Sequence, residues 1–216
     1  FVRASGCNLR CAWCDTPYAS WNPEGEALAV ARIIAAVEEH PATRHVVFTG
    51  GEPMIARDAA ELAAAVKATG RHLTIETAAT VAPAGIACDL ASLSPKLLNS
   101  APDAARHATW RRRHEATRWQ PDVVRSWVDA YPYQFKFVVA REEDIEELET
   151  MLAALRRDIP RHKMLLMPEA TTLTSLTKPK FFKRSICCFN CASWQTTAPP
   201  SKVLKNTRKT TISQAV

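Results

Sequence analysis

Short runs of apolar and β-branched residues alternate along this chain with segments of helical period, and that alternation constrains its fold more than any other feature. Phe1-Val2-Arg3-Ala4-Ser5 reads as a strand running into a cysteine-rich loop. Leu28, Val30, Ile33, Ile34 and Val37 then fall at helical spacing within 27–39, and Val46-Val47-Phe48 is an apolar run closed by Gly50-Gly51. The pattern predicts a helix over 58–69, with Leu62 and Val66 on one face and Gly70 as its C-cap. Strands follow at 72–76 and 86–90, a helix near 122–130, a strand at 134–139, a helix over 142–157 and a strand at 164–167. Strands alternating with helices predict an α/β fold with a mostly parallel sheet and right-handed crossovers, either a layer or a partial (β/α) barrel.

In such folds reactive groups gather at the carboxyl ends of the strands. The polar motifs fall there: Cys7 after the first strand, Thr49-Gly50-Gly51-Glu52-Pro53 after the second, Glu76-Thr77 after the third, Ser92-Leu93-Ser94-Pro95-Lys96 after the fourth, and Pro168-Glu169 after the last. The segment from Arg106 to Trp119 interrupts the alternation, with Arg111-Arg112-Arg113 lying between Trp110 and Trp119. Basic residues beside aromatics suit nucleic acid, but a solvated connecting loop or helix face is the expectation here.

The sharpest motif is Cys7-Asn8-Leu9-Arg10-Cys11-Ala12-Trp13-Cys14, whose spacing lets one loop wrap three thiolates around a single inorganic centre. A structural zinc site wants four protein ligands, and the loop holds neither a fourth Cys nor a His. A cubane iron–sulfur cluster on three thiolates keeps one iron free for an outside ligand. Zinc completed from elsewhere in the chain is the alternative. In Thr49-Gly50-Gly51-Glu52-Pro53, two glycines allow close backbone approach to a ligand, and the adjacent carboxylate suits an ammonium group.

The C-x3-C-x2-C spacing resembles that of the radical S-adenosylmethionine (SAM) enzymes, and the Gly-Gly-Glu-Pro segment resembles their second motif. Within that superfamily the chain is similar to the 7-carboxy-7-deazaguanine synthase family over Phe1 to Glu169. The similarity runs through Phe1-Val2-Arg3, Cys14-Asp15-Thr16-Pro17-Tyr18, Glu76-Thr77, Asp89-Leu90 with 92–97, Gln134 to Val139, and Leu166-Met167-Pro168-Glu169. The resemblance implies a partial (β/α) barrel of the radical SAM type. It implies that Cys7, Cys11 and Cys14 hold a 4Fe-4S cluster, that Thr16 gives an oxygen to Mg2+, and that Arg3 and Thr49 contact substrate. Gly51, Glu52, Ser94, Pro95, Lys96, Gln134, Phe135, Lys136 and Phe137 would line the SAM site. Strand alternation puts Gln134 and Lys136 on one face and the two Phe on the other, so only one of those pairs can contact a ligand by its side chains.

The implied reaction starts with SAM cleavage to a 5′-deoxyadenosyl radical and abstraction of a hydrogen at C6 of 6-carboxy-5,6,7,8-tetrahydropterin. Rearrangement to 7-carboxy-7-deazaguanine with loss of ammonia follows, and SAM is regenerated. A cytoplasmic homodimer acting on a small-molecule pterin, fed by an external flavodoxin-like electron donor and without direct nucleic-acid or membrane contact, completes the expectation. Against the family pattern, the strand and the Gly-rich, Glu-bearing loop that precede the Phe1 segment are absent, and the sequence after Thr172 departs from it. Ala79 also stands where a Gly is usual. A chain altered at both ends is expected to give weak or no product. Two rivals stay open: a radical SAM activase that abstracts hydrogen from a protein glycine, and a non-catalytic metal or nucleic-acid-binding module.

Composition bears on the second rival. The 216 residues carry a formal charge of +6, which at face value suggests nucleic acid. Residues 1–170 nevertheless hold 20 basic and 22 acidic groups, whereas 171–216 hold 8 basic groups and no acidic one. The basic excess therefore belongs to the end of the chain. The expected organisation is a radical SAM domain over 1–170, lacking its first strand, and a poorly ordered extension over 171–216. No apolar run approaches the roughly 18 residues of a membrane span. Seven cysteines, an odd count, argue against a disulfide framework. Cys88 is expected to be a buried strand residue, and Cys187, Cys188 and Cys191 a chance cluster rather than a second metal site.

Overall fold

A computed structural model describes residues 1–169 and the backbone of Thr211 and Ile212. The expected extension over 171–216, with Cys187, Cys188 and Cys191, otherwise lies outside the described residues. The strands are β1 (Val2–Ala4), β2 (His45–Gly50), β3 (His72–Thr77), β4 (Leu90–Leu93), β5 (Tyr133–Val139), β6 (Met164–Pro168) and β7 (Thr211–Ile212). They form one sheet in the order β6-β5-β4-β3-β2-β1-β7, with every pairing parallel. The crossovers carry α1 (Val30–Glu38), α2 (Ala59–Ala68), α3 (Ala104–Thr117), α4 (Pro121–Ala130) and α5 (Glu143–Ala154). The α/β expectation with a parallel, open sheet is borne out.

One face of the sheet packs against the helices. Val46 and Phe48 of β2, Leu73 and Ile75 of β3, Ala91 and Leu93 of β4, and Phe135, Phe137 and Val139 of β5 are buried there. They meet Ile33 of α1, Leu62 and Val66 of α2, Val124 and Trp127 of α4, and Leu148 and Met151 of α5 in one core. Truncating a side chain such as Phe48 would cost about 3–5 kcal/mol through lost burial and the cavity left behind. Because side chains alternate across a strand, the same packing sends Thr49, Glu76, Ser92, Gln134 and Lys136 to the opposite face.

One local expectation is corrected. The fourth strand begins at Leu90 rather than near 86, so Ser92 lies within it. The Asp89 carboxylate explains the delay: it receives Lys67 Nζ at 2.7 Å and the Leu73 N–H at 2.7 Å, so a side chain anchors the approach to the sheet. The segment Arg106 to Trp119, expected as a solvated connecting loop or helix face, lies largely in helix α3, which is capped by Asp103 Oδ1 on the N–H groups of Ala105 and Arg106, kinked at His107, and exposes Arg112 and Arg113. Among the described residues no helix is long and apolar enough to cross a membrane.

Candidate active site

The carboxyl ends of the strands surround a cavity of about 660 Å³. Parallel register builds its floor. Arg3 stands opposite Thr49, Glu76 opposite Ser92, and Ser92 opposite Gln134, so one polar row crosses from β1 to β5. The row is hydrogen-bonded: Thr49 Oγ1 donates to Glu76 Oε2 at 3.0 Å and Gln134 Nε2 donates to Ser92 Oγ at 3.1 Å. Lys136 Nζ lies 3.3 Å from Glu76 Oε1. Arg3 and Lys136 thus bring cations to the cavity, with Glu76 held between Thr49 and Lys136.

The cysteine loop closes one side. Cys7, Cys11 and Cys14 all line the cavity as free thiols. Burial pushes the Cys7 thiol up to about 12, although the Leu9 N–H it receives at 3.4 Å works the other way. Burial likewise pushes Cys11 up to about 11, against the pull of nearby Lys96. Cys14 Sγ lies 3.1 Å from Ser20 Oγ and 3.7 Å from Thr16 Oγ1, and Thr16 donates to Asp15 Oδ1 at 3.3 Å. The loop is held from outside as well. Trp13 Nε1 donates to Asn99 O at 3.1 Å, Trp21 Nε1 to Cys11 O at 2.9 Å, and Ala12 N–H to Ser100 O at 2.8 Å.

The Gly-Gly-Glu segment joins β2 to this loop. Gly51 N–H donates to Ala4 O at 3.1 Å and Glu52 N–H to Gly6 O at 2.9 Å. A Cβ on Gly51 would collide with the carbonyls of Gly6 and Ala19. Glu52 is fully buried. Its carboxylate receives the Thr77 hydroxyl at 2.7 Å, the Ala78 N–H at 2.9 Å and the Met54 N–H at 3.1 Å, so it bolts the ends of β2 and β3 together. Burial raises its pKa despite those three donors.

Ten of the expected residues therefore meet at the cavity: Arg3, Cys7, Cys11, Cys14, Thr16, Thr49, Gly51, Ser94, Lys96 and Lys136. Five do not line it. Phe135 and Phe137 stack in the core on the helical face, with ring centroids 5.7 Å apart. Pro95 and Glu52 are buried, with the Glu52 carboxylate consumed by its three donors. Gln134 donates to Ser92 Oγ, and neither residue lines the cavity. Trp13, Asp15, Glu76, Val138, Met167 and Glu169 line the cavity without having been assigned a role. The strand-end positions of Glu76 and Glu169 were the available signal.

The donor set fits an iron–sulfur cluster on three thiolates. Three thiols from one loop face one cavity, and among the described residues no three His, Cys, Asp or Glu side chains converge as ligands of a single metal ion. Mononuclear zinc, which asks for four ligands at bonding distance, fits less well.

Comparison with known proteins agrees with this geometry. The profile of the radical SAM superfamily matches residues 1–172, and the chain belongs to that superfamily. It is 41% identical over 177 residues to the 7-carboxy-7-deazaguanine synthase of Rhodopirellula baltica, covering 82% of this chain and 67% of that protein. The Halobacterium salinarum enzyme of the same name is 41% identical over 187 residues, covering 82% and 71%. Within the superfamily this chain is a member of the 7-carboxy-7-deazaguanine synthase family. The crystal structure of QueE from Escherichia coli shares the fold, with a TM-score of 0.55 at 24% identity over 81% of this chain and 78% of that one. Streptococcus suis SuiB bound to S-adenosylmethionine also shares it, with a TM-score of 0.53 at 16% identity over 80% and 42%.

Proposed function

We propose that this chain converts 6-carboxy-5,6,7,8-tetrahydropterin to 7-carboxy-7-deazaguanine and ammonia, the ring contraction of queuosine biosynthesis. The observation that carries the reading is the convergence of three thiols, Ser94 with Lys96, and the Arg3-Thr49-Glu76 row on one cavity, in a chain of this family. When bound, a 4Fe-4S cluster with SAM supplies hydrogen-atom abstraction, chemistry that needs no acid–base dyad from the protein.

The chain's own residues bind and orient. Cys7, Cys11 and Cys14 would hold the cluster. Gly51, with no side chain, lets the cysteine loop pack against the strand edge that would bind SAM, and Lys96, which donates to Ser94 Oγ at 2.8 Å, lines the same cavity. Arg3 and Lys136 offer cations to the substrate carboxylate. Glu76, already fixed by Thr49 and Lys136, accepts N–H groups of the pterin. Thr16, with Asp15 beside it, would give hard oxygens to a Mg2+ ion, which would supply charge stabilisation to the substrate. Val138 and Met167 supply apolar wall that excludes water. An external one-electron donor, homodimeric assembly and a cytoplasmic setting, where thiols stay reduced, complete the reading.

Anaerobic reconstitution with iron and sulfide tests it. The expected result is one 4Fe-4S cluster per chain, lost in Cys11→Ser, with pterin-dependent 5′-deoxyadenosine and 7-carboxy-7-deazaguanine detected by mass spectrometry. Release of 5′-deoxyadenosine that depends on a protein glycine rather than on the pterin would sink the reading in favour of the activase.

A further inference from the structure

Helix α3 is absent from the roles assigned so far, yet it is tied to the cysteine loop at three places. His107 packs on Trp21 with ring centroids 4.8 Å apart, and Trp21 in turn donates to Cys11 O. Trp110 lies under the Arg10 guanidinium at 4.0 Å, and His114 Nδ1 receives the Arg10 N–H at 3.2 Å. Trp110 and His114, four positions apart, share one face of the helix turned to the loop, and His107 reaches it from the kink.

Apart from Arg106 in the first turn, the arginines of this helix and its C-cap Arg118 divide into two sets. Arg111 and Arg118 pair with Glu115, and Arg118 also with Glu147. Arg112 and Arg113 are exposed and form no ion pair among the described residues. Arg113 lies 5.4 Å over the Trp110 ring whose other guanidinium neighbour is Arg10. Arg10 itself donates through Nη1 to Cys7 O at 2.7 Å and Leu9 O at 2.8 Å. A continuous contact therefore runs from an exposed, uncompensated positive surface, through Arg113, Trp110 and Arg10, to the peptide of a cluster-holding cysteine.

We propose that this face of α3 docks an acidic one-electron carrier protein, which passes its electron to the cluster behind the loop. The inference rests on the reading of Cys7, Cys11 and Cys14 as cluster ligands. The balance is one electron: the carrier is oxidised by one and the cluster reduced by one, with no bond made or broken. Charge complementarity selects an acidic partner. Nucleic acid suits the face less well, because base binding needs a free aromatic surface and the Trp110 ring is already engaged by two guanidinium groups.

The test compares two reductants on the reconstituted protein by anaerobic stopped-flow, following bleaching of the cluster absorbance. One is reduced flavodoxin, an acidic flavoprotein; the other is photoreduced 5-deazariboflavin, a small uncharged reductant. Charge reversal in Arg112→Glu with Arg113→Glu is expected to lower the second-order rate with flavodoxin about tenfold or more at low salt, and to leave reduction by deazariboflavin unchanged. The unsubstituted protein's rate with flavodoxin is expected to fall as salt rises. An unchanged flavodoxin rate in the double variant overturns the proposal, and so does an equal loss with both reductants. A tRNA gel shift abolished by the same substitutions, with the flavodoxin rate intact, overturns it in favour of nucleic acid. If no reducible centre forms in the unsubstituted protein, the reading of the three cysteines has failed and this proposal fails with it.

Discussion

The imidazole of His114 receives the main-chain N–H of Arg10 at 3.2 Å, joining helix α3 to the middle of the cysteine loop across 104 residues of chain. That bond fixes the tautomer. Nδ1 accepts, so Nε2 carries the proton and faces Ser100 Oγ at 2.9 Å, while Ser100 Oγ donates to Leu97 O at 2.6 Å. The chain of donors works only with a neutral ring, and burial pushes the His114 pKa down from its ordinary value to about 4.

The consequence is a pH-dependent stability of the cluster-free protein. Between pH about 6.5 and about 4 the unfolded chain protonates this histidine and the folded chain does not. His114 therefore contributes a loss of stability as pH falls through that window, up to about 3 kcal/mol, which levels off below it. Urea unfolding at pH 7.5, 5.5 and 4.5 should show this slope, and His114→Gln should reduce it. An identical slope in the variant would assign the effect to other groups.

Gly51→Ala is expected to remove the cavity's architecture rather than trim it. The added methyl meets two backbone carbonyls, Gly6 O and Ala19 O, and neither can swing aside as a flexible side chain would. Loss of SAM affinity by at least tenfold, together with a lowered Tm, is the outcome to look for by calorimetry and thermal unfolding.

Much of this was legible in the sequence. The periods of 2 and 3.6 gave the strands and helices, and the polar motifs at strand ends located the cavity before any geometry was known. The choice between Gln134 with Lys136 and Phe135 with Phe137 was not legible, because alternation separates two faces without saying which meets the helices. The work done by α3 was also hidden. His107, Trp110 and His114 sit in a helix otherwise rich in Arg and Ala, and the cysteine-loop groups they meet, Trp21 and Arg10, lie about a hundred residues away. Glu76 was noticed as part of a motif but became a cavity residue only when parallel register set it beside Thr49 and within reach of Lys136.

Glu52→Gln separates support from contact. The amide keeps one acceptor oxygen but turns an N–H2 group toward donors that have no other partner, in a fully buried position. A destabilisation of about 2–4 kcal/mol is expected from the unmet hydrogen bonds. Denaturant titration of the cluster-free protein reads it without any cofactor, and a change below about 1 kcal/mol would contradict the bracing role.

Glu76→Gln should behave in the opposite way. Glu76 and Lys136 are about one-third exposed, so their pairing contributes little stability, at most about 1 kcal/mol. The same change is expected to lower kcat/KM for the pterin at least tenfold, since the carboxylate that orders Thr49 and Lys136 faces the substrate space. Unaltered kinetics would remove Glu76 from the substrate-binding set.

The long reach of the His114 contact also governs timing during synthesis. Cys7, Cys11 and Cys14 leave the ribosome first, but the groups that shape their loop, Asn99, Ser100 and His114, follow roughly 5–20 s later at ordinary elongation rates. For that interval the three thiols sit on an unorganised, exposed segment, open to oxidation or to stray metal. With Cys7, Cys11 and Cys14 as the proposed cluster ligands, iron–sulfur assembly on this chain is expected to be a late event that waits for the docking of a helix translated long after them.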